Sequence, residues 1–269
     1  MTSAFLRPAM ALSAILAVAA FSGTTAIAQS FDYNKWQVGG MVAVGPKYQG
    51  SKEYEVYGFP LLIPDRFDSN GRVSVANIDD VRFRLLDLYG FEIGPIGGWR
   101  FGRDEKDGQL LTGLGDIDGG LVVGAYGGYR FGNTLASISY GHQVTGQDDA
   151  GGLLRFGLET KFRPTNRISM TAMLGATWAD DDYMATNFGV TAAQATATRA
   201  AFDADAGFKD VNFTLASDID LDARWTLKLV GRYTHLIGDA ADSPIVETES
   251  QFYGGLGLTY RFDLRTFPR

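Results

Sequence analysis

Two histidines, His142 and His235, are the residues of this sequence best able to do chemistry near neutral pH. Imidazole can act as a general base or ligate a metal, and a base beside Ser169 could activate that hydroxyl as a nucleophile. The histidines fall on different predicted strands, a further strand separates His142 from Ser169, and the sequence has no G-x-S-x-G motif. We therefore predict no catalytic residue and no enzymatic activity.

Acidic clusters are the other candidates for chemistry. Asp116 with Asp118, Asp148 with Asp149, and residues 180–182 fall in predicted loops, where carboxylates could collect Ca²⁺ or Mg²⁺. None has the EF-hand pattern, and the alternatives are solvated loop charges or a share in the ions that bridge lipopolysaccharide phosphates. The chain has no cysteine for a thiolate site or a disulfide. We predict no specific metal site and no cofactor.

Along the segments that carry these residues, apolar and polar side chains alternate with a period of two. Neighbouring side chains of a strand point to opposite faces, so such a segment has one apolar and one charged face. Segments of this kind, roughly ten residues long, recur between turn residues and predict an all-β protein, a transmembrane antiparallel up-and-down β-barrel with apolar side chains facing lipid. The clearest example alternates Leu154, Phe156, Leu158 and Phe162 with Arg155, Glu159 and Lys161.

An export signal at residues 1–28 predicts the compartment. Arg7 supplies a positive charge, an apolar stretch covers residues 9–21, and Ala26-Ile27-Ala28 fits the small-x-small cleavage pattern. The stretch is shorter than the roughly 20 residues of a spanning helix, so a cleaved signal peptide is favoured over an anchor. Residues 29–269 are then one barrel domain in the outer membrane of a Gram-negative cell. Loss of Arg7 changes the formal charge from −7 to about −8, which argues against a nucleic-acid partner.

Turn residues divide the mature chain into about twelve predicted strands. Tight links such as Gly132-Asn133 alternate with longer polar connections, and only the brief link at residues 78–80 breaks the alternation. Short periplasmic turns, long external loops and an even strand number are typical of outer-membrane barrels and place both termini in the periplasm. Residues 73–88 could instead form one long bent strand. The predicted strands are 35–44, 54–67, 72–77, 82–88, 91–102, 118–131, 134–144, 152–163, 167–178, 209–221, 224–236 and 250–262.

Aromatic residues near the strand ends favour a membrane barrel over a soluble β-sandwich or lipocalin, whose strands also alternate. They lie where girdles meet lipid headgroups. The girdle residues are Trp36, Trp99, Phe101, Tyr129, Phe131, Phe162, Trp178, Trp225, Tyr260 and Phe262.

The longest external connection covers residues 179–208. Its length exceeds what a simple connection requires, and loops of this length often cap a pore or meet a partner. Its Ala and Thr content predicts a short helix at residues 192–199. Tyr183 and Phe188 are predicted to pack over the barrel mouth.

Charged residues on the polar phase of the strands are predicted to face the barrel interior, because charge avoids lipid. Cations predominate among them. A barrel of twelve strands can hold a narrow channel, which would then favour anions, or an interior filled by paired charges. The residues predicted to line the lumen are Arg82, Arg84, Arg100, Arg130, Arg155, Glu159, Lys161, Lys228, Arg232 and Arg261.

Four stretches of the sequence resemble the MipA/OmpV family of outer-membrane proteins. The first is residues 44–51, which contain the pattern P-x-Y-x-G-S, and the others are residues 113–118, Trp178 with residues 181–183, and residues 238–246. The last stretch is the most specific of them. Its motif residues are Gly238, Asp239, Asp242, Ser243 and Pro244.

The resemblance implies a non-enzymatic outer-membrane barrel. The family is named for a member that links a lytic murein transglycosylase to a murein polymerase, which implies a scaffold for murein enzymes or a role in envelope organisation. Other members resemble porins, osmotic-response proteins or adhesins, so a narrow porin for small solutes is the alternative. The implied partners are outer-membrane lipid, lipopolysaccharide and a periplasmic murein transglycosylase or synthase, reached through the periplasmic turns and residues 263–269.

Overall fold

Residues 35–64 and 73–263 are described in a computed structural model of the chain, and the predicted export signal lies outside them. They form thirteen strands and two short helices, α1 (Asp181–Phe188) and α2 (Asp239–Asp242). The strands are β1 (Lys35–Pro46), β2 (Tyr54–Pro64), β3 (Val73–Asn77), β4 (Asp80–Phe83), β5 (Leu86–Leu88), β6 (Phe91–Arg100), β7 (Gly120–Phe131), β8 (Thr134–Gln143), β9 (Gly152–Thr165), β10 (Ile168–Ala179), β11 (Gly207–Asp220), β12 (Trp225–Leu236) and β13 (Ser250–Asp263).

The strands form one antiparallel up-and-down sheet, in the order β2-β1-β13-β12-β11-β10-β9-β8-β7-β6-β4-β3. Strand β4 pairs with the external half of β6 through Val81 and Gly97. Strand β5 pairs with the other half of β6 through Leu86 and Ile93. Because β4 and β5 together take the place of one strand, the sheet matches the twelve predicted strands, and the prediction of an all-β up-and-down barrel is confirmed.

The sheet curves so that its two ends approach each other. Phe59 of β2 and Phe101, directly after β6, lie near opposite ends of the strand order, yet their ring centroids are 6.5 Å apart. Arg232 of β12 donates a hydrogen bond to Asn77 at the end of β3. Those two strands are eight places apart in the order, which is roughly 38 Å across a flat sheet at about 4.8 Å per strand. The sheet must therefore curl round on itself, as in a barrel, to bring such residues into contact.

The barrel is inside out relative to a soluble barrel. Leu174, Leu256 and Phe213 are exposed on the outer face, whereas Thr226 and Thr259 are buried on the inner face. Apolar side chains that face outward meet lipid in a transmembrane barrel. Rings also gather at both ends of the strands, as predicted for the girdles. The ring pairs are Phe91 with Tyr129 (4.6 Å), Trp225 with Tyr260 (5.1 Å) and Tyr233 with Phe252 (5.0 Å).

One alternative is excluded and one local prediction is wrong. Residues 73–88 do not form the alternative single bent strand, since β3 and β4 make a hairpin that precedes β5. The helix predicted at residues 192–199 is wrong, because those residues form turns and bends. The helix is α1 instead, directly after β10. No helix within residues 35–64 and 73–263 is long and apolar enough to cross a membrane.

Capping and a buried arginine explain where the helix forms. Asp180 precedes α1 and accepts a hydrogen bond from the backbone amide of Tyr183 at 3.0 Å, which is N-cap geometry. Residues 192–199 lack such a cap. Arg199 is buried and donates to the carbonyl oxygens of Leu110 and Thr112, which holds this segment against the β6–β7 loop in a non-helical conformation.

Candidate functional site: the barrel interior and its external cap

Paired charges occupy the inner face of the barrel. Nine of the ten residues predicted to line the lumen lie on the face of their strands opposite to the exposed apolar side chains, and Arg84 lies between β4 and β5. Glu92 is shared by two of these arginines, and most of the others have a carboxylate of their own. The ion pairs, with the distances between the side-chain nitrogen and the carboxylate oxygen, include Arg261–Asp220 (2.7 Å), Lys228–Asp218 (2.8 Å), Lys161–Glu159 (3.2 Å), Arg130–Glu92 (2.7 Å) and Arg84–Glu92 (3.2 Å).

The tip of the β3–β4 hairpin supplies carboxylates that the sequence analysis missed. Asp79 pairs with Arg155 of β9, and its Oδ2 lies 3.5 Å from Arg100 Nε of β6. Asn77 accepts the hydrogen bond from Arg232 of β12. The tip therefore crosses the interior and contacts three separate parts of the wall. The break in loop alternation at residues 78–80 was the one sequence signal of this feature.

Asp80 anchors the same tip to the wall. Its two carboxylate oxygens each lie 3.0 Å from the Arg82 guanidinium, and Oδ2 also accepts from Ser139 Oγ at 2.8 Å. Arg82 in turn donates to Ser137 Oγ at 3.0 Å. Asp80 is fully buried, so this network replaces water for both charged groups.

Along β11, the exposure of the charged side chains rises from the end at the external loops to the end at the periplasmic turn. The side chains of Lys209 and Asp210, near the external loops, are 7% and 3% exposed. Asp218 and Asp220, near the periplasmic turn of the same strand, are 48% and 37% exposed. The inner face is therefore open to solvent at the periplasmic end of β11, whereas Glu92, near the periplasmic end of β6, is only 4% exposed.

The external loops pack into a cap over the barrel. One cluster buries Tyr183, Met184 and Phe188 of α1 against Leu236 and Ala240. A second cluster joins four further residues from four loops. They are Tyr48, Leu111, Val190 and Ile245. Both clusters are apolar. The second lies wholly in the loops, whereas the first also includes residues at the external ends of strands, such as Leu236 of β12, so the hydrophobic core of the cap is continuous with the rim of the barrel.

The motif of the last external loop fixes this cap. Ser243 is buried and its Oγ donates to the carbonyl oxygen of Phe188 at 2.6 Å. Asp239 Oδ2 accepts from the backbone amide of Asp205 at 2.9 Å. Gly238 has φ 58°, a left-handed conformation that glycine adopts readily, and it precedes the single turn α2. Asp242 ends that turn, and Pro244 stands just before the buried Ile245.

Tyr48 joins the first external loop to the last. Its hydroxyl donates to the carbonyl oxygen of Ile245 at 3.2 Å and lies 3.3 Å from Glu247 Oε2. Burial, together with the Glu247 carboxylate, raises the pKa of Tyr48 above its usual value, so the hydroxyl stays protonated. Gly50 has φ 95° and lies so close to Val246 that a Cβ would stand 2.6 Å from its side chain. The glycine therefore permits the two loops to touch.

The candidate catalytic and metal residues are not brought together. His142 lies at the external end of β8, where it faces Gly152 in the register, and Ser169 lies at the opposite end of β10. The separation is about ten residues along the strand direction, or roughly 30 Å. Residues 35–64 and 73–263 contain no cluster of three or more acidic or histidine side chains able to hold a metal ion.

The acidic loop residues instead hold backbone amides. Asp116 Oδ1 accepts from Glu105 N at 2.8 Å, and Asp181 Oδ1 accepts from Ala206 N at 2.8 Å. Asp180 accepts from Gly152 N at 2.7 Å as well as capping α1. These carboxylates stabilise the loop conformations of the cap.

Comparison with known proteins identifies the family. The model of the family described as MltA-interacting protein MipA matches residues 38–262, which is most of the chain and every described strand except the ends of two. The chain belongs to the MipA family. The proposed resemblance to MipA/OmpV proteins is thereby confirmed.

Relatives of this MipA-family chain are outer-membrane proteins. Outer membrane protein Omp26La of Vibrio anguillarum is 32% identical over 96 residues, which are 35% of this chain and 37% of the relative. The match thus spans about a third of that relative's length. Among solved structures, the translocator domain of autotransporter NalP from Neisseria meningitidis is 10% identical, with a TM-score of 0.40 over 86% of this chain and 91% of its own. OmpT, an outer membrane protein of Vibrio cholerae, is 8% identical, with a TM-score of 0.31 over 65% of this chain and 53% of its own.

The MipA-type motifs meet in space although they are far apart in the sequence. Tyr48 comes from the first motif and Tyr183 from the third, and Gln49 Nε2 donates to Tyr183 Oη at 2.8 Å. Ser243 of the fourth motif bonds to the end of α1. The cap therefore brings together stretches that resemble the family.

Proposed function

We propose that this MipA-family chain is a non-catalytic outer-membrane barrel that serves as a scaffold for periplasmic murein enzymes. The observation that carries the proposal is the rise in exposure along β11, from 7% and 3% at Lys209 and Asp210 to 48% and 37% at Asp218 and Asp220. The loops pack over one end of the barrel, and the exposed carboxylates at the other end of β11 are within reach of a periplasmic partner. The family description names an interaction with MltA, so a lytic murein transglycosylase is the first partner to test.

The filled interior supports this role over that of a narrow porin. The hairpin tip crosses the interior through Asp79 and Asn77, and the cap closes the mouth above it. A solute would need both elements to move before it could pass. The charged residues predicted to line the lumen are therefore proposed to pair with one another rather than to select ions.

Binding of a purified murein transglycosylase to the barrel in lipid nanodiscs tests the proposal. Arg163, near the periplasmic end of β9, and Arg167, in the β9–β10 turn that follows, are both exposed. Their joint replacement, Arg163→Ala with Arg167→Ala, should weaken binding by about ten-fold if this turn contacts the partner, because rim charges steer association. The matched control removes two exposed external cations, Lys52→Ala with Lys106→Ala, and should leave binding unchanged.

Two results would decide against the scaffold. One is failure of the unaltered barrel to bind murein transglycosylases or synthases at micromolar concentration. The other is steady ohmic steps of the unaltered protein in a planar bilayer, which would favour the porin. A silent barrel that retains a murein enzyme supports the proposal.

A further inference from the structure

An open cleft of about 630 Å³ lies in the cap, between the β6–β7 loop and the β10–β11 loop. Its volume is within the range of about 300–1,000 Å³ that is usual for small-molecule sites. The cleft belongs to the external face and so is independent of the periplasmic role proposed above. Its principal lining residues are Arg103, Leu114 and Asp116 on one side and Val190, Gln194 and Phe202 on the other.

The walls of the cleft are held by backbone bonds. Each wall contains a two-residue antiparallel bridge, and Gln194 Nε2 donates to the carbonyl oxygen of Leu114 at 3.1 Å to join the walls. A cleft fixed in this way is preformed, so a ligand would not have to order the loops. The bridge bonds are Arg103 N to Ile117 O (2.9 Å), Ile117 N to Arg103 O (2.8 Å), Val190 N to Phe202 O (2.8 Å) and Phe202 N to Val190 O (2.8 Å).

Arg103 is the unusual group in this cleft. Its Nη1 donates to the carbonyl oxygen of Asn187 at 3.0 Å, and its buried Nε has no hydrogen-bond partner among the described residues. Burial lowers the pKa of Arg103 from its usual value, because the charged form loses hydration. A guanidinium that has lost part of its hydration is suited to a carboxylate, to which it can donate a charge-assisted hydrogen bond.

The rest of the lining carries the opposite charge and an apolar surface. Asp116 and Asp203 are exposed carboxylates that face the cleft, and they would attract an ammonium group. Val190 and Phe202 offer an apolar wall, while Gln147 supplies an amide that can bond to a peptide group. One cation, two anions, an amide and an apolar wall match a molecule with a carboxylate at one end and an ammonium at the other.

We propose that this cleft binds a short peptide with free termini, of about three to five residues as judged from its volume. The C-terminal carboxylate binds Arg103, and the N-terminal ammonium lies between Asp116 and Asp203. A neutral saccharide would leave the guanidinium without an anion, and a diamine would bring a second cation to it. The site therefore discriminates for zwitterions.

Calorimetric titration of the full barrel in nanodiscs with the tripeptide Ala-Phe-Ala tests this site. The N-acetylated and C-amidated forms of the same tripeptide are the matched ligands. We expect each capped form to bind at least ten-fold more weakly than the free peptide, since each loses a charge-assisted contact. Maltotriose and putrescine serve as probes of the two rival ligand classes.

Three variants assign the contacts. Arg103→Gln should remove the difference between the free and amidated peptides, and Asp203→Asn should reduce the difference between the free and acetylated ones. Asp203→Asn alters an exposed side chain, so it remains informative if Arg103→Gln disturbs the loop. Asp148→Asn, an exposed external carboxylate outside the cleft lining, should change nothing.

The proposal is overturned by any of three results. The first is equal affinity for free and capped peptides, and the second is no measurable binding of the free peptide at millimolar concentration. The third is tighter binding of maltotriose or putrescine than of the peptide.

Discussion

The cap and the barrel interior bury their side chains with opposite chemistry. The cap buries apolar groups, among them Phe188 and Ile245, each 0% exposed. The barrel interior buries polar groups, among them Asp80, Thr226 and Thr259, also 0% exposed. The surroundings explain the difference. Water surrounds the loops, so removal of apolar area from water stabilises the cap, whereas lipid receives the apolar face of the strands and leaves the polar face inside.

Because the cap and the barrel interior bury different chemical groups, we expect them to respond to different perturbations. The cap depends on packing of side chains from separate loops and should loosen when an apolar group is removed. The barrel depends on its continuous backbone ladder, its ion pairs and its lipid-facing surface. Because the two regions are stabilised by different interactions, damage to one should leave much of the other intact.

Phe188→Ala should have the largest effect. It removes a fully buried ring from the cap and should cost about 3–5 kcal/mol of local stability, as is usual for such a deletion. Hydrogen exchange should accelerate in the external loops and stay slow in the strands. The matched variant Phe213→Ala shortens a ring on the lipid-facing side of β11, where the ring is exposed, and should leave loop exchange unchanged. A uniform loss of hydrogen-exchange protection in the strands of Phe188→Ala would contradict the separate stability of cap and barrel.

Asp80→Asn should have the next largest effect, and on the barrel. Its Arg82 partner would remain buried without a carboxylate, which should cost about 3 kcal/mol of the free energy of unfolding. Urea unfolding of the refolded protein in detergent measures the loss. Asp87→Asn is the control, because Asp87 also pairs with an arginine, at 3.1 Å, but its side chain is 50% exposed. Equal effects of the two substitutions would contradict a closed interior.

Leu174→Arg tests the outer face. The side chain is exposed at the middle of β10 and should meet the hydrocarbon, where arginine costs about 2–4 kcal/mol near the bilayer centre. Refolding into vesicles at graded urea concentrations measures the change, and Leu174→Met should remain close to the unaltered protein. No loss for Leu174→Arg would mean that this face does not contact lipid.

The pH response of the β11–β12 turn should be the smallest effect. Backbone amides of Arg224 and Trp225 donate to Asp222 at 2.7 and 2.8 Å and lower the pKa of its carboxyl group. Since the folded pKa lies below the unfolded value, the stabilisation is present above the unfolded pKa and is lost as pH falls through the folded one. The protection factors of the turn amides, which compare each exchange rate with the intrinsic rate at the same pH, should thus be steady from neutral pH to about pH 4 and fall below it. Asp222→Ala should remove this transition, and a transition centred above about pH 5 would contradict the assignment.

The sequence predicts the barrel better than the cap because of the range of the interactions. Alternation such as Leu154, Phe156 and Leu158 against Arg155 and Glu159 is local, so strand positions follow from it. The cap depends on contacts between distant residues. The family motifs could be recognised as segments, but nothing local indicates that they meet in space.

Two errors show the same limit. The helix at residues 192–199 was predicted from composition. The helix instead begins after Asp180, whose side chain accepts the N-terminal hydrogen bond from Tyr183 N. The counter-charges of Asp79 and Asp80 were missed because the link at residues 78–80 was assigned no place in the interior. The inward turn of the hairpin tip depends on arginines that lie on strands remote in the sequence. The local alternation of side chains gives no information about such distant contacts.

Side-specific labelling of Asp218→Cys tests whether the barrel interior is closed to the outside and accessible from the periplasm. The chain has no cysteine of its own, so a maleimide carried on a polymer too large to cross the outer membrane reports on this single interior position. We predict no labelling of intact cells and rapid labelling once the reagent reaches the periplasm. Labelling from outside with the membrane intact would show an open mouth and would contradict a barrel that is closed by its cap and accessible from the periplasm.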